Sequence, residues 1–168
     1  MSGKILIQRY TSPCGELLLG SFGDRLCLCN WTHEKHPGRV DRRLTTLLDA
    51  VYEYGSTDVT TAAARQLSEY FSGDRTVFDV PLLLVGTGFQ KSVWGHLLGI
   101  PYGKTVSYRE LAESCGIPAA VRAVANANGA NALSVFVPCH RVIAADGSSG
   151  GYGGGAEAKR FLLELESR

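Results

Sequence analysis

The sequence carries almost no net charge: 17 Lys and Arg stand against 16 Asp and Glu, a formal +1. No overall field marks the chain as a partner of nucleic acid or of a membrane surface, so charge has to be read locally. No apolar run approaches membrane-spanning length, and the opening "MSGKILIQRY" lacks the long apolar core of a signal peptide. Membrane partners are therefore not expected. Disulfide scaffolding is not expected either, because five cysteines, an odd number, without a signal peptide argue for free thiols in a reducing interior. The expected location is the cytoplasm, or the nucleus of a eukaryotic cell. There is also no internal repeat.

What is present is ordinary for a globular protein, with 45% apolar and 20% charged residues among 168. That length allows one large or two small domains. Residues 1–87 hold 9 basic and 10 acidic side chains, whereas residues 91–141 hold five basic against two acidic. The second half is thus the better place to look for a polyanion.

Residues 4–10, 17–22 and 24–31 read as short strands parted by turn residues, a β-meander. Residues 39–54 and 61–71 read as helices, and 77–85 as a strand whose Pro81 favours an edge. "GTG" at 86–88 is the candidate linker. Beyond it, Phe89, Val93, Leu97 and Ile100 share one helical face. "SYRELAESCG" opens with Ser107 and Glu110 at capping-box spacing and stops at Gly116. Pro118 suits the first turn of the next helix, "PAAVRAVANAN". Two short helices joined at a glycine form a helix-turn-helix pattern. A last helix, "AEAKRFLLELE", follows a glycine-rich stretch.

On the second helix of that pair Val121, Val124 and Ala125 form the inward stripe, and Ala119, Arg122, Ala123 and Asn126 the outer face. Small side chains let a helix backbone approach DNA closely, and a single long cation can then reach the stack or a phosphate. A reader of base edges would carry several long polar side chains instead. The pattern points to shape recognition, or to a helix pair buried in an enzyme core.

"SVFVPCHRVI" at 134–143 sets Cys139, His140 and Arg141 side by side. A free thiol is only about 3% thiolate at neutral pH, so a nucleophilic Cys139 needs a base. Adjacent residues point in different directions, so a water bridge to His140 fits better than direct contact. Glu166, four residues after Leu162 on an apolar stripe, is a candidate partner for His140, against the alternative of a solvated carboxylate. Cys139 as a small buried hydrophobe is the competing reading. Cys14 falls in a turn, Cys115 near a helix end, and Cys27 and Cys29 on one strand face; the run "CLCNWTHEKH" is off the usual zinc spacing. "GSSGGYGGG" at 147–155 lacks the order of a phosphate loop and reads as a flap near a site, with Tyr152 its one large side chain.

"IPYGKTVSYRELA", "RAV", "VPCHRVI", "GGYGGG" and "K..LL..E", in this order and spacing, closely resemble the O6-alkylguanine-DNA alkyltransferases over residues 89–166. The resemblance implies an α+β protein, with a ribonuclease H-like sheet-and-helix domain at 1–85 and a winged helix-turn-helix domain at 86–168. It implies direct, single-turnover transfer of an alkyl group from O6 of a flipped guanine in duplex DNA to Cys139, leaving O4-alkylthymine open as a second lesion. His140, through a water, and Glu166 would generate the thiolate, and Tyr108 would give a proton to the guanine ring. Arg122 would enter the stack, with Ala119, Ala123 and Asn126 beside it on the DNA face. Asn131 would brace the turn, and Val142, Tyr152 and Gly153 would border the base pocket. It implies a monomer that needs neither cofactor nor metal.

Three positions depart from the family's pattern. Ala125 stands where glycine is usual, and Ala132 where proline is common, so a looser turn is expected. Gly153 should leave the pocket roomy. Two alternatives remain in view: a non-catalytic lesion binder, disfavoured because Cys139 is present, and a redox- or alkylation-sensing regulator that binds DNA through the helix-turn-helix, disfavoured by the near-bare outer helix face.

Overall fold

A computed structural model describes residues 3–147 and 151–168. Ser148, Ser149 and Gly150, part of the expected flap, lie outside the described residues. Three strands open the chain, β1 (Gly3–Ser12), β2 (Gly15–Phe22) and β3 (Arg25–Trp31), and the fourth, β4 (Ala50–Tyr54), lies parallel to β1 in the order β3-β2-β1-β4. The helix expected over 39–54 is therefore half helix, α1 (Arg39–Leu47), and half strand. Asp49 turns the chain between them at φ 47°, and Gly3–Ile7 of β1 pair with Ala50–Tyr54, a long-range pairing that overrides the local helical pattern.

Both faces of the sheet are covered. Ile5, Ile7, Cys27 and Leu28 pack against Val40 and Leu44 of α1. The opposite face, with Leu17, Leu19, Leu26 and Cys29, packs against Ala63, Leu67 and Tyr70 of α2 (Asp58–Phe71). Cys27 and Cys29 were expected on one face. A β-bulge, where Leu26 opposes Ser21 but Leu28 opposes Gly20, turns Cys27 to the other side.

Residues 77–85 do not form a strand. They pair with β3 around Leu82, where Leu26 N–H donates to Pro81 O at 2.8 Å and Leu83 N–H to Leu26 O at 2.8 Å. Farther along the same edge, Cys29 N–H donates to Ala132 O at 2.8 Å and Ser134 N–H to Cys29 O at 2.9 Å. The unpaired edge of β3 is thus occupied by two loops, which removes a template for association and fixes residues 132–134 to the sheet.

The second half is helical: α3 (Gly88–Leu97), α4 (Tyr108–Ser114), α5 (Val121–Gly129) and α6 (Ala156–Glu166), with β5 (Val106–Ser107) and β6 (Val142–Ile143) as a short parallel pair. Thr87 of the expected linker caps α3, whose Val93, Trp94 and Leu97 are buried while Phe89 is exposed. Ser107 caps α4 with Glu110 returning the bond, as its spacing predicts. Gly116 turns at φ 78°, a left-handed value that favours glycine, and Pro118 begins a single 3-10 turn before α5. One buried cluster runs from β2, β3 and α2 through α3–α6, so the two halves share their apolar interior. Among the described residues, no helix is long and apolar enough to cross a membrane.

Candidate active site

Cys139 opens a 3-10 turn, Cys139–Arg141, fixed by Arg141 N–H to Pro138 O at 3.0 Å. The approach to it is tight. Val135 sits at φ 74°, a genuine outlier for a β-branched residue and a form of stored strain found at functional sites. Asn131 overdetermines this turn: its Nδ2 donates to Val137 O at 2.9 Å and to Cys139 Sγ at 3.2 Å, and its Oδ1 accepts Leu133 N–H at 3.0 Å. The turn at Ala132, where a looser conformation is expected, is held at both sides by hydrogen bonds. The Ala132 carbonyl is held by Cys29, and Asn131 closes the rest.

Behind the thiol lies a buried charge network. His140 Nε2 contacts Glu166 Oε2 at 2.7 Å, and Arg141 reaches both carboxylate oxygens, Nε to Oε1 at 2.8 Å and a terminal nitrogen to Oε2 at 3.0 Å. Tyr70 O–H donates to Oε2 at 2.6 Å, and Gly103 N–H to Oε1 at 3.3 Å. Burial alone would raise the Glu166 carboxyl, but the hydrogen bonds from His140 and Arg141 outweigh it and hold it well below the usual carboxylate range. Burial lowers the His140 pKa despite Glu166, so the imidazole is neutral at pH 7. With Glu166 ionised, Nε2 carries the proton it donates, and Nδ1 is left as the basic nitrogen. Nδ1 is buried and has no hydrogen-bond partner among the described residues.

Burial pushes the Cys139 thiol up, partly offset by the Asn131 hydrogen bond and the Lys159 charge. Lys159, fully buried in α6, donates to Val142 O at 2.6 Å and Gly151 O at 3.3 Å, and burial brings it down to about 8 against the pull of Cys139. Tyr108, at the start of α4, has its phenol raised by burial and by Cys139, so it stays protonated as a donor, and its O–H lies 3.5 Å from Gly151 O.

Cys139, Asn131, Asn128, Tyr152 and Gly153 line one cavity. An adjoining groove joins Tyr108, Asn126, Tyr152 and Gly153. A Cβ added at Gly153 would meet nothing within 4 Å, whereas one at Gly154 would come within 2.6 Å of the Trp31 ring. Val142 is buried in β6, outside the lining of the Cys139 cavity, and offers its carbonyl to Lys159. Ala119, Arg122, Ala123 and Asn126 are all exposed. On the inner side of α5, Val124, Ala127 and Asn128 are buried, while Val121 and Ala125 are only half-buried.

Sequence reasoning missed three contributors to this network: Arg141 and Tyr70 on Glu166, and Lys159 beside Cys139. Lys159 stood in the "K..LL..E" pattern without a role. Tyr70 lies 96 residues from Glu166 and left no local signal.

Residues 88–168 match the family model described as 6-O-methylguanine DNA methyltransferase, DNA binding domain. A methylated-DNA–protein-cysteine methyltransferase of Mycobacterium tuberculosis is 52% identical over 126 residues, covering 71% of this chain and 76% of that protein. The constitutive methylated-DNA–protein-cysteine methyltransferase of Bacillus subtilis is 42% identical over 156 residues, covering 92% and 91%. The crystal structure of Mycobacterium tuberculosis OGT in complex with DNA superposes with a TM-score of 0.79 at 41% identity, covering 99% of this chain and 93% of that one. Identity of this order across most of both chains, on a shared fold, places the chain in the methylated-DNA–protein-cysteine methyltransferase family.

Proposed function

We propose that the protein repairs alkylated duplex DNA by moving the alkyl group from O6 of a guanine onto its own Cys139. The observation that carries this reading is the stack of groups at Cys139: a donor on the sulfur from Asn131, and the buried His140–Glu166 pair on the next residue. As the Sγ–C bond forms, the C–O6 bond breaks. The thiol proton passes through a water to Nδ1 of His140, whose imidazolium Glu166 stabilises, and the departing guanine takes a proton from Tyr108. Displacement at saturated carbon requires the sulfur in line with the leaving oxygen, so the fixed turn at 131–139 matters as much as the base. The thioether is permanent, and each chain acts once.

A base inside a duplex cannot reach a buried thiol, so the nucleotide has to be extruded, at a cost of a few kcal/mol. The exposed face of Ala119, Arg122, Ala123 and Asn126 supports docking in which the small residues let the backbone approach and Arg122 fills the vacated space. Tyr152 and Gly153, with the backbone at Val142, border the extruded base. In this reading residues 1–85 form a ribonuclease H-like domain and residues 86–168 a winged helix-turn-helix domain, acting as a monomer.

The test is restoration of cleavage by a restriction enzyme blocked by O6-methylguanine in its site. The protein restores cleavage of one duplex per chain, and Cys139→Ser restores none. Repair beyond one duplex per chain, or repair by Cys139→Ser, would contradict the reading.

A further inference from the structure

Besides Cys29 of β3 and Tyr70 of α2, the first half of the chain reaches the surroundings of Cys139 through two arginines of α1. Arg39 donates from a terminal nitrogen to Gly129 O at 2.7 Å, and Arg43 donates likewise to Ala130 O at 2.7 Å. Those carbonyls end α5, where no intrahelical donor remains and a cation is favoured by the helix dipole. Arg43 also donates from Nε to Val85 O at 3.1 Å and stacks over Trp94, its guanidinium carbon 5.3 Å from the ring centre. Trp94 Nε1 donates in turn to Ala127 O at 2.8 Å, in the same last turn of α5. Two arginines at i and i+4 repel, and burial together with Arg39 lowers the Arg43 pKa. The pair persists because its carbonyl partners outweigh the repulsion.

The carbonyls it holds lie between two asparagines that touch Cys139. Asn128 Nδ2 contacts Cys139 O at 3.5 Å, and Asn131 Nδ2 contacts Cys139 Sγ at 3.2 Å. We propose that Arg43, with Arg39 one turn before it, is a positioning residue for Cys139: it clamps the end of α5 so that Asn131 keeps its hydrogen bond to the sulfur. The clamp deepens the alkyl-transfer reading, yet it acts on the thiol whatever the alkyl donor is. The titratable groups facing Cys139 are Lys159 from α6, Tyr108 from α4, Tyr152 before α6 and Cys29 from β3, with His140 adjacent in the turn. Among the described residues no hydrogen bond joins any of them to Arg39 or Arg43, and Arg43, unlike Arg39, does not line the Cys139 cavity, so loss of Arg43 reaches the sulfur through Asn131.

The experiment follows the pH dependence of Cys139 alkylation by iodoacetamide, resolved by peptide mass, beside the single-turnover rate on saturating O6-methylguanine duplex. Arg43→Ala raises the midpoint by about half to one pH unit, so Cys139 reacts about 3- to 10-fold more slowly at pH 7. The saturating duplex rate falls by a similar factor, while the Kd for duplex stays within about twofold. Arg43→Lys recovers part of the loss, since an ammonium lacks the planar fork that reaches two carbonyls. Arg42→Ala, on the exposed side of α1, changes nothing. A folded Arg43→Ala with the wild-type midpoint overturns the clamp. If that variant does not fold, Arg39→Ala and Arg43→Lys carry the same readout. A shifted midpoint in a protein whose wild type transfers no methyl supports the clamp and overturns the repair reading instead.

Discussion

The Cys139–Glu166 centre and the outer face of α5 lie in the same half of the chain and are built by opposite rules. Around Glu166 the carboxylate's contacts are made in advance: it has five donors, among them an imidazole that leaves Nδ1 unpartnered among the described residues and an arginine held at both ends. On the outer face, Ala119, Arg122, Ala123 and Asn126 are exposed, three of them short and one long. In the proposed function the difference separates two tasks. Proton transfer and in-line attack gain most from groups fixed before substrate arrives. Duplex docking by shape gains from a surface that clears the backbone and leaves one long side chain to fill a gap.

Substitutions can break either side of that contrast alone. The largest expected effect is at Glu166→Gln, which leaves Arg141 buried without its counter-charge. Loss of about 3–5 kcal/mol of stability follows, read by denaturant unfolding, with slower alkyl transfer from both duplex and the free alkylguanine base. Arg122→Ala should leave stability within about 0.5 kcal/mol. It should lower duplex repair about tenfold or more by removing the support for extrusion, with free-base transfer unchanged. Equal losses on both substrates would make Arg122 structural.

Acid sharpens the same contrast. The folded Glu166 carboxyl titrates below its ordinary value of 4.5, so the unfolded chain binds the proton first and stability falls as pH drops through that value. Unfolding free energy measured from pH 7 downward should decline from about pH 4.5, and the Glu166→Gln protein should lack this share of the slope. The smallest effect is local: Ser107→Ala removes the α4 cap, costing about 1 kcal/mol, and loosens the start of the helix that carries Tyr108.

The frame of the site was legible where its signals are local, whereas the roles of Tyr108, Asn131 and Val142 were implied only by the family resemblance. The capping box at Ser107, the glycine turn at Gly116 and the α6 stripe ending at Glu166 each follow from spacing within a few residues. What stayed hidden depends on distant partners. Residues 50–54 look helical until β1 pairs with them, and the parity of Cys27 depends on a bulge against β2. The partners of Glu166 come from α2, the turn after Cys139 and the loop at Gly103, which no periodicity announces. Asn128 and Ala127, not Ala125, are buried with Val124, an inward face set by what α5 packs against and not by its own apolar spacing.

The proposed repair leaves a covalent bond on one sulfur. The direct measurement is the intact mass after reaction with a duplex carrying a single O6-methylguanine, followed by the mass of the Cys139 peptide. One methyl on Cys139, saturating at one per chain with the other four cysteines unmodified, is the predicted result. Tight lesion binding with no gain in mass, or a methyl on a different cysteine, would contradict it.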